Sequence, residues 1–233
     1  TMREKKRNGQ KVVSLFSGAG GLDLGFINAG FDIVWANDFD KNACDTYRRN
    51  IDDHIHCGSI LEVDATTLPA CDLIIGGPPC QGFSTIGKRV SSDPRKREAH
   101  DPRNELVITY AQIIRTVRPK FIVMENVKGI LTRNGGKYLE TVLSELRAAG
   151  YNVDYRIVNM ADYGVPQIRE RIIILGNRVG LPVQFPAPDH SEDSRSGLPR
   201  WVSCGEVLSD LAGRSDDPSF NHVALKHTET NIA

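Results

Sequence analysis

Short apolar runs alternate with amphipathic segments along residues 11–176, and this alternation constrains the fold more than any other feature of the chain. Apolar residues recur with helical spacing in two of the intervening segments, from Leu106 to Val117 and from Leu139 to Leu146. Strands that alternate with helices form a parallel sheet covered on both faces, so the sequence predicts an α/β fold. The predicted strands are Lys11–Leu15, Asp32–Asn37, His54–Cys57, Cys71–Ile75, Lys120–Met124, Val153–Asn159 and Arg171–Gly176.

Length and composition exclude several classes of protein. The 233 residues suit one domain with an extension, and they can bury a core without a disulfide or metal. The formal net charge is zero, so a nucleic-acid partner must meet a local basic patch. Five scattered cysteines without a Cys-x-x-Cys pair argue against a disulfide framework and a zinc site. No apolar run approaches the ~20 residues of a membrane span, and no signal-peptide core is visible, so we expect a cytoplasmic protein.

A sharp turn with the sequence Gly-Gly-Pro-Pro-Cys-Gln-Gly-Phe-Ser follows the predicted strand that ends at Ile75. Paired glycines and prolines end the strand there, which presents Cys80 at the carboxyl edge of the sheet. Open α/β folds bind their ligands at that edge. An ionised cysteine is the strongest nucleophile among ordinary side chains. Taken alone, the segment also fits a small apolar residue in a tight loop.

A second turn, Phe16–Gly21, follows the first predicted strand and opens a helix. Its glycines let the backbone approach a ligand closely, and the helix start offers free N–H groups. Asp23 stands where the dinucleotide fingerprint counted from Gly18 needs its third glycine, so that fingerprint is not matched. Asp38 ends the second strand, a position suited to ribose hydroxyls. These residues alone leave open a nucleoside-bearing cofactor and a turn without a ligand.

Charged residues flank two further predicted strands. Glu125 follows the strand that ends at Met124, again at a carboxyl end. The segment Gln-Ile-Arg-Glu-Arg leads into the last strand, and strand alternation predicts Gln167, Arg169 and Arg171 on one face. Singly, Glu125 also fits a solvated loop acid and the two arginines a salt-bridged strand edge.

Together and in this order, these segments resemble the cytosine-5 DNA methyltransferases from about residue 11 to residue 176. The resemblance implies a Rossmann-like S-adenosylmethionine-dependent methyltransferase fold, with a mostly parallel sheet and helices on both faces. It also implies a catalytic domain at residues 11–178 and an irregular extension at residues 179–233. The motifs that carry the resemblance are Phe16–Gly21, Asp38, Pro78–Ser84, Asp101–Leu106, Glu125–Val127 and Gln167–Arg171.

The resemblance assigns catalytic roles to Cys80, Glu125, Arg169 and Arg171. Carbon 5 of cytosine is a poor nucleophile, and attack of the Cys80 thiolate on carbon 6 makes it reactive. A free thiol is mostly protonated at neutral pH, so the two arginines are expected to favour its ionisation and to hold the cytosine O2. Glu125 holds the N3 and amino edge and donates a proton. The target base must be flipped out of the duplex.

S-adenosylmethionine is the cofactor that the resemblance implies. Phe16 is expected to contact the adenine, and Asp38 the ribose hydroxyls. Ser59 departs from the Asp that many family members carry in a Gly-Asp-Ile pattern, although its hydroxyl can still hydrogen-bond the adenine amino group. The implied cofactor-binding residues are Phe16, Gly18, Ala19, Gly20, Gly21, Asp38, Phe39, Ser59, Ile60, Gly77, Pro79 and Leu106.

The polar stretch at residues 85–101 resembles the closing loop of the family. Its lysines and arginines are expected to meet DNA phosphates, so that binding weakens with salt. Any one of these residues also fits a merely solvated loop. The implied DNA-binding residues are Gln81, Ser84, Lys88, Arg89, Arg95, Lys96, Arg97 and Gln167.

The expected function is cytosine-5 methylation of duplex DNA in a bacterial restriction–modification system, at the nucleoid. The target-recognition domain and last two motifs of the family are not visible. We therefore expect a truncated form or the larger half of a split enzyme, which works with a recognition region or a second chain. One alternative is a tRNA cytosine-5 methyltransferase, although that branch tends towards Thr where Ser84 stands. The other is a non-catalytic partner that binds DNA or S-adenosylmethionine, against which the presence of Cys80, Glu125 and Arg171 argues.

Overall fold

The computed structural model describes residues 7–79, 105–211, 213–220 and 223. Seven strands in these residues form one sheet, and four longer helices accompany it. The strands are β1 (Lys11–Leu15), β2 (Asp32–Asp38), β3 (Ile55–Cys57), β4 (Leu73–Gly76), β5 (Phe121–Val127), β6 (Asn152–Asn159) and β7 (Glu170–Asn177). The helices are α1 (Gly21–Asn28), α2 (Lys41–Asn50), α3 (Glu105–Val117), α4 (Lys137–Ala148) and the single turn α5 (Cys204–Val207).

The strand order is β3-β2-β1-β4-β5-β7-β6. The first five strands pair in parallel, whereas β7 runs antiparallel to both β5 and β6. The chain leaves β1 towards β2 and β3, and then returns to place β4 on the other side of β1. This reversal creates a topological switch point between β1 and β4, where open α/β sheets bind ligands.

Two apolar clusters cover the two faces of the sheet. Val13 of β1 belongs to a cluster that includes Tyr110 of α3 and Leu146 of α4. Its neighbour Val12 belongs to a second cluster, which includes Tyr47 of α2. Because successive strand residues point to opposite faces, the helices lie on both sides of the sheet. The predicted fold class, a mostly parallel sheet with helices on both faces, is confirmed.

Two strand boundaries differ from the prediction in ways that affect the site. The prediction that Glu125 follows its strand was wrong, because β5 continues to Val127. The reason is the antiparallel partner β7, which pairs with β5 up to the level of Val127 and Arg171. The last strand begins at Glu170, so Gln167 precedes it and the predicted alternation from that residue was also wrong.

The chain divides into two compact units, residues 1–159 with 169–187, and residues 160–168 with 188–233. The first holds the sheet and α1 to α4. In the second, Trp201 Nε1 donates a 2.9 Å hydrogen bond to Asp162 Oδ1, and Ser203 forms a capping box with Glu206 at α5. The predicted division at residues 178 and 179 stays a prediction. Among the helices of the described residues, none is long and apolar enough to cross a membrane.

Candidate active site

A cavity of about 410 Å³ lies in the first unit, beside the carboxyl ends of β1, β2 and β4. We call it the switch-point cavity. Its walls include eight residues to which the resemblance assigns cofactor binding: Phe16, Asp38, Phe39, Ser59, Ile60, Gly77, Pro79 and Leu106. The structure thus brings together residues from five separate stretches of the chain. The other four, Gly18, Ala19, Gly20 and Gly21, lie in the turn that continues from Phe16.

The turn at residues 16–21, which we call the glycine turn, has an unusual backbone where it leaves β1. Phe16 has φ 56°, in the left-handed region that a bulky residue rarely adopts. The N–H of Ser17 donates a 2.8 Å hydrogen bond to the carbonyl of Asn37 and so ties the turn to β2. Strained residues of this kind cluster at functional sites, and Phe16 lines the switch-point cavity.

Asp38 holds the glycine turn from the side of the cavity. Its Oδ2 accepts a hydrogen bond from the N–H of Gly18 at 2.8 Å, and its Oδ1 accepts one from the N–H of Asp40 at 2.9 Å. An ionised carboxylate offers about four acceptor positions, so about two remain. Asp38 can therefore still receive two hydroxyl groups from a ligand in the cavity.

The walls of the switch-point cavity fit a nucleoside-bearing cofactor. Its volume falls within the ~300–1,000 Å³ usual for small-molecule sites. Phe16 and Phe39 supply aromatic surface, and Phe39 is 72% exposed. Ser59 Oγ accepts a 3.3 Å hydrogen bond from the N–H of Leu61 and caps a short 3₁₀ turn.

Sequence reasoning missed three other residues in these walls, Asn37, Gly58 and Leu61. Asn37 is buried, and its Nδ2 donates to the carbonyls of His56 at 3.1 Å and Gly58 at 2.9 Å. It thereby fixes the end of β3 against β2. An amide directly before Asp38 in an otherwise apolar strand was an available signal. The sequence carried no signal for Leu61.

The end of β4 is packed too closely for a side chain at its last residue, Gly76. A methyl group on Gly76 would lie 2.7 Å from the carbonyl oxygen of Leu15 and 2.8 Å from Cε2 of Tyr110. The Tyr110 hydroxyl in turn donates a 2.8 Å hydrogen bond to the carbonyl of Val123 in β5. Glycine at this position therefore lets β4 lie against both β1 and α3.

Asn126, near the end of β5, contacts the turn that follows β4. Its side chain is buried, and Nδ2 donates a 3.2 Å hydrogen bond to the carbonyl of Pro78. This contact helps to fix the path of the turn up to Pro79. The described residues end there and resume at residue 105. Outside the described residues lie the predicted site residues Cys80, Gln81, Ser84, Lys88, Arg89, Arg95, Lys96 and Arg97, and so does the predicted closing loop at residues 85–101.

Glu125 and Arg171 form an ion pair across β5 and β7. Arg171 Nε lies 2.9 Å from Glu125 Oε1, with the two side chains 18% and 31% exposed. The buried Nε–H does not align for a hydrogen bond at this short distance, so the contact is ionic. A methyl group on Gly77 would lie 3.2 Å from Glu125 Oε2. The carboxylate is therefore held by a cation on one side and lies against the turn after β4 on the other.

The other two predicted residues of this region lie at the surface. Arg169 is exposed just before β7, and its backbone N–H donates a 3.1 Å hydrogen bond to Asn159 Oδ1. Gln167 is exposed and belongs to the second unit. The roles of both stay predictions.

Comparison with known proteins gives one consistent family. Residues 10–232 match the family model of C-5 cytosine-specific DNA methylases. The chain is 40% identical over 223 residues to the Type II methyltransferase M.NgoFVII of Neisseria gonorrhoeae, which covers 94% of this chain but 58% of that protein. It is 42% identical over 204 residues to M.AquIA of Picosynechococcus sp., covering 80% of this chain and 79% of that one. A solved structure of a candidate DNA modification methyltransferase from an E. coli prophage superposes with a TM-score of 0.69 at 28% identity, over 89% of this chain and 57% of that one. The chain belongs to the C-5 cytosine-specific DNA methylase family.

Proposed function

We propose that this chain transfers a methyl group from S-adenosylmethionine to carbon 5 of a flipped-out cytosine in duplex DNA. One observation carries the proposal beyond family membership: Gly77 both lines the switch-point cavity and lies against the Glu125 carboxylate. A cofactor in that cavity and a base held by Glu125 therefore meet beside the turn that leads to Cys80. Proximity of this kind is what a transfer between two bound molecules requires.

Cys80 is the nucleophile in this proposal. Its thiolate forms a bond to carbon 6 of cytosine, and the electron pair of the 5,6 double bond becomes available at carbon 5. Glu125 holds the N3 and amino edge of the base, and Arg171 keeps that carboxylate in place. Once carbon 5 has formed its bond to the methyl group, loss of the carbon-5 proton and release of the Cys80 sulfur restore the 5,6 double bond.

The switch-point cavity holds S-adenosylmethionine, which supplies the methyl group when bound. Phe16 and Phe39 contact the adenine, and the free acceptor positions of Asp38 receive the ribose hydroxyls. Ser59 lies in the wall where it can accept or donate a hydrogen bond at the adenine edge. The backbone of the glycine turn binds the methionine end of the cofactor.

DNA binding and target choice involve further parts of the protein. Lys88, Arg89, Arg95, Lys96 and Arg97 contact phosphates, and flipping the base costs a few kcal/mol. A recognition region or a second chain selects the target sequence. The match to M.NgoFVII covers 58% of that protein, which is consistent with a further region outside the matched part. The names of the relatives, Type II methyltransferases, favour a role in a bacterial restriction–modification system.

The test combines label transfer with trapping of the covalent adduct. Labelled S-adenosylmethionine is incubated with mixed-sequence duplex DNA or tRNA, and in parallel with DNA that carries 5-fluorocytosine. Fluorine at carbon 5 blocks the last step, so a complex that survives denaturation should accumulate with the wild-type chain and not with Cys80→Ser. If no label is transferred, the assay is repeated with the part of M.NgoFVII that the match leaves uncovered added in trans.

Each outcome decides between the candidate functions. Label on DNA, lost in Cys80→Ser, supports the proposal. Label on tRNA in place of DNA supports the RNA-directed alternative. Methyl transfer that survives Cys80→Ser, or no transfer in either arrangement, overturns the proposed mechanism.

A further inference from the structure

The carboxyl group of Asp23 lies buried beneath the glycine turn, and we propose that Asp23 is a positioning residue for cofactor binding. Asp23 stands in the first turn of α1 and is fully inaccessible to solvent. It is not among the residues that line the switch-point cavity. Its effect on a ligand must therefore pass through the turn above it. The inference deepens the proposed function, because it rests on S-adenosylmethionine binding in that cavity.

Two hydroxyl groups from different elements meet at this carboxyl group. Ser14 Oγ of β1 donates to Asp23 Oδ1 at 2.7 Å, and the Tyr47 hydroxyl of α2 donates to Asp23 Oδ2 at 2.8 Å. Asp23 thus joins β1, α1 and α2, which surround the glycine turn. All three side chains are fully buried.

The hydrogen bonds run in one direction towards Asp23. Ser14 gives its single hydroxyl hydrogen to Asp23, so it accepts the hydrogen of Ser17 Oγ at 2.9 Å. Ser17 belongs to the glycine turn itself. A continuous path from Ser17 through Ser14 to Asp23 therefore anchors the turn from below.

Tyr47 supports the other end of the turn. A methyl group on Gly20 would lie 2.9 Å from Cδ2 of Tyr47, and the Gly20 backbone has φ 89°. The tyrosine ring thus packs against Gly20, whose left-handed backbone conformation favours glycine. The Tyr47 hydroxyl also lies 3.0 Å from Nε2 of His54.

The glycine turn is consequently held from two sides. Asp38 binds the N–H of Gly18 at the switch-point cavity, and Asp23 holds Ser17 and Gly20 from beneath through Ser14 and Tyr47. Burial raises the pKa of Asp23, while the hydroxyl donors act in the opposite sense. Burial of a carboxyl group costs free energy that its hydrogen bonds must offset. What it provides here is a fixed path for the backbone that receives the cofactor.

The test separates cofactor affinity from stability in the full chain. S-adenosylmethionine binding is measured by calorimetry, and Tm by thermal unfolding, for Asp23→Asn, Tyr47→Phe and Ser14→Ala. Tyr47→Phe and Ser14→Ala each remove one hydroxyl, and Asp23→Asn exchanges one acceptor oxygen for an amide donor, all with little change of volume. The matched control is Tyr151→Phe, which removes a buried hydroxyl that donates a 2.6 Å hydrogen bond to the Pro119 carbonyl and takes no part in this network.

We expect Asp23→Asn and Tyr47→Phe to weaken binding at least tenfold, and Tyr151→Phe to leave it unchanged at a similar loss of Tm. The double variant Asp23→Asn/Tyr47→Phe should bind S-adenosylmethionine no more weakly than the single variant with the lower affinity. Both substitutions disrupt the same contact between Asp23 and Tyr47, so their effects should not add. Unchanged affinity in Asp23→Asn and Tyr47→Phe, or equal weakening in Tyr151→Phe, overturns the inference. If Asp23→Asn does not fold, Tyr47→Phe and Ser14→Ala decide alone.

The proposed function and this inference fail in different ways. A wild-type chain that does not bind S-adenosylmethionine overturns the cofactor site itself, and this inference with it. A wild-type chain that binds the cofactor but transfers no methyl group overturns the proposed reaction and leaves the comparison of affinities intact.

Discussion

The guanidinium group of Arg171 lies 2.9 Å from the carboxylate of Glu125, and the two residues stand on neighbouring antiparallel strands. We predict that Arg171→Ala lowers the rate of methyl transfer by about 100-fold or more, as loss of an oriented charge at a reacting centre does. S-adenosylmethionine affinity should not change, because Arg171 does not line the switch-point cavity. Single-turnover kinetics and calorimetry measure the two effects separately.

The exposed pair Lys128–Glu170 supplies a control for Arg171→Ala. Its atoms lie 3.0 Å apart on the surface, with both side chains at least half exposed. Glu170→Gln should leave the transfer rate within about twofold, since exposed ion pairs contribute little. A full rate in Arg171→Ala would exclude the assigned role.

Ser59 offers a gain-of-affinity prediction. Ser59→Asp should bind S-adenosylmethionine as tightly as the wild type or more tightly, because a carboxylate accepts the adenine amino hydrogen better than a hydroxyl. The local structure should persist, since Asp caps a helical turn as well as Ser does and the N–H of Leu61 keeps an acceptor. Clearly weaker binding in calorimetry would refute this placement of the adenine.

Two glycines should respond to alanine in opposite ways. Gly76→Ala places a methyl group against Leu15 and Tyr110 and should destabilise the fold by about 1–3 kcal/mol. Gly25→Ala, on the open face of α1, should stabilise it by about 0.5–1 kcal/mol. Urea unfolding of both variants measures the difference. Equal effects would contradict the close packing described at Gly76.

Asp72 predicts a pH-dependent contribution to stability. Its carboxylate accepts hydrogen bonds from Lys120 Nζ at 2.7 Å and from the N–H of Lys11 at 3.0 Å, which lower its pKa. A lowered pKa in the folded state means stability that is present above the unfolded value near 3.8 and lost as the pH falls further. Asp72→Asn should therefore be less stable than the wild type at pH 7, and the gap should close below about pH 4. Urea midpoints over a pH series test this, and a gap that is independent of pH would contradict it.

The thiols should differ in reactivity. Burial, followed by the neighbouring Cys57 thiol, raises the pKa of Cys44 to about 12, and burial raises the pKa of Cys71 to about 11. Cys57 and Cys204 are exposed. In a Cys80→Ser background at pH 8, a thiol reagent should label Cys57 and Cys204 first, as read by mass spectrometry. Unfolding in urea should equalise all four thiols, and early labelling of Cys44 would contradict the described packing.

Local patterns predicted the parts of the fold and site that depend on consecutive residues. β1 occurs at its predicted residues, and Asp38 ends β2 as expected. The same holds for the glycine turn, since a glycine run between an apolar strand and a helix leaves few alternatives. Eight predicted cofactor residues lie around one cavity because the carboxyl ends of parallel strands meet at one edge of the sheet.

Features that depend on partners distant in sequence were not predictable. β5 extends through Glu125 because β7 pairs with it, and strand periodicity does not reveal the direction of a neighbour. The contact of Asn126 with Pro78 likewise depends on how two separate segments pack. The sequence marks Asp23 only as a departure from the dinucleotide fingerprint, and it does not predict the buried cluster around this residue.

The position of β7 between β5 and β6 has a consequence for biosynthesis. β6 leaves the ribosome first, but its hydrogen-bonding partner in the sheet is β7, so it cannot join the sheet until β7 has been made. Arg171 lies at the start of β7, and the carboxylate of Glu125 acquires its cation only when that strand docks. A ribosome-bound chain that ends before residue 170 carries the glycine turn and all the lining residues of the switch-point cavity, yet the edge of the sheet that pairs Glu125 with Arg171 is still unassembled. All the lining residues of the switch-point cavity are therefore synthesised before the ion pair at Glu125 can form.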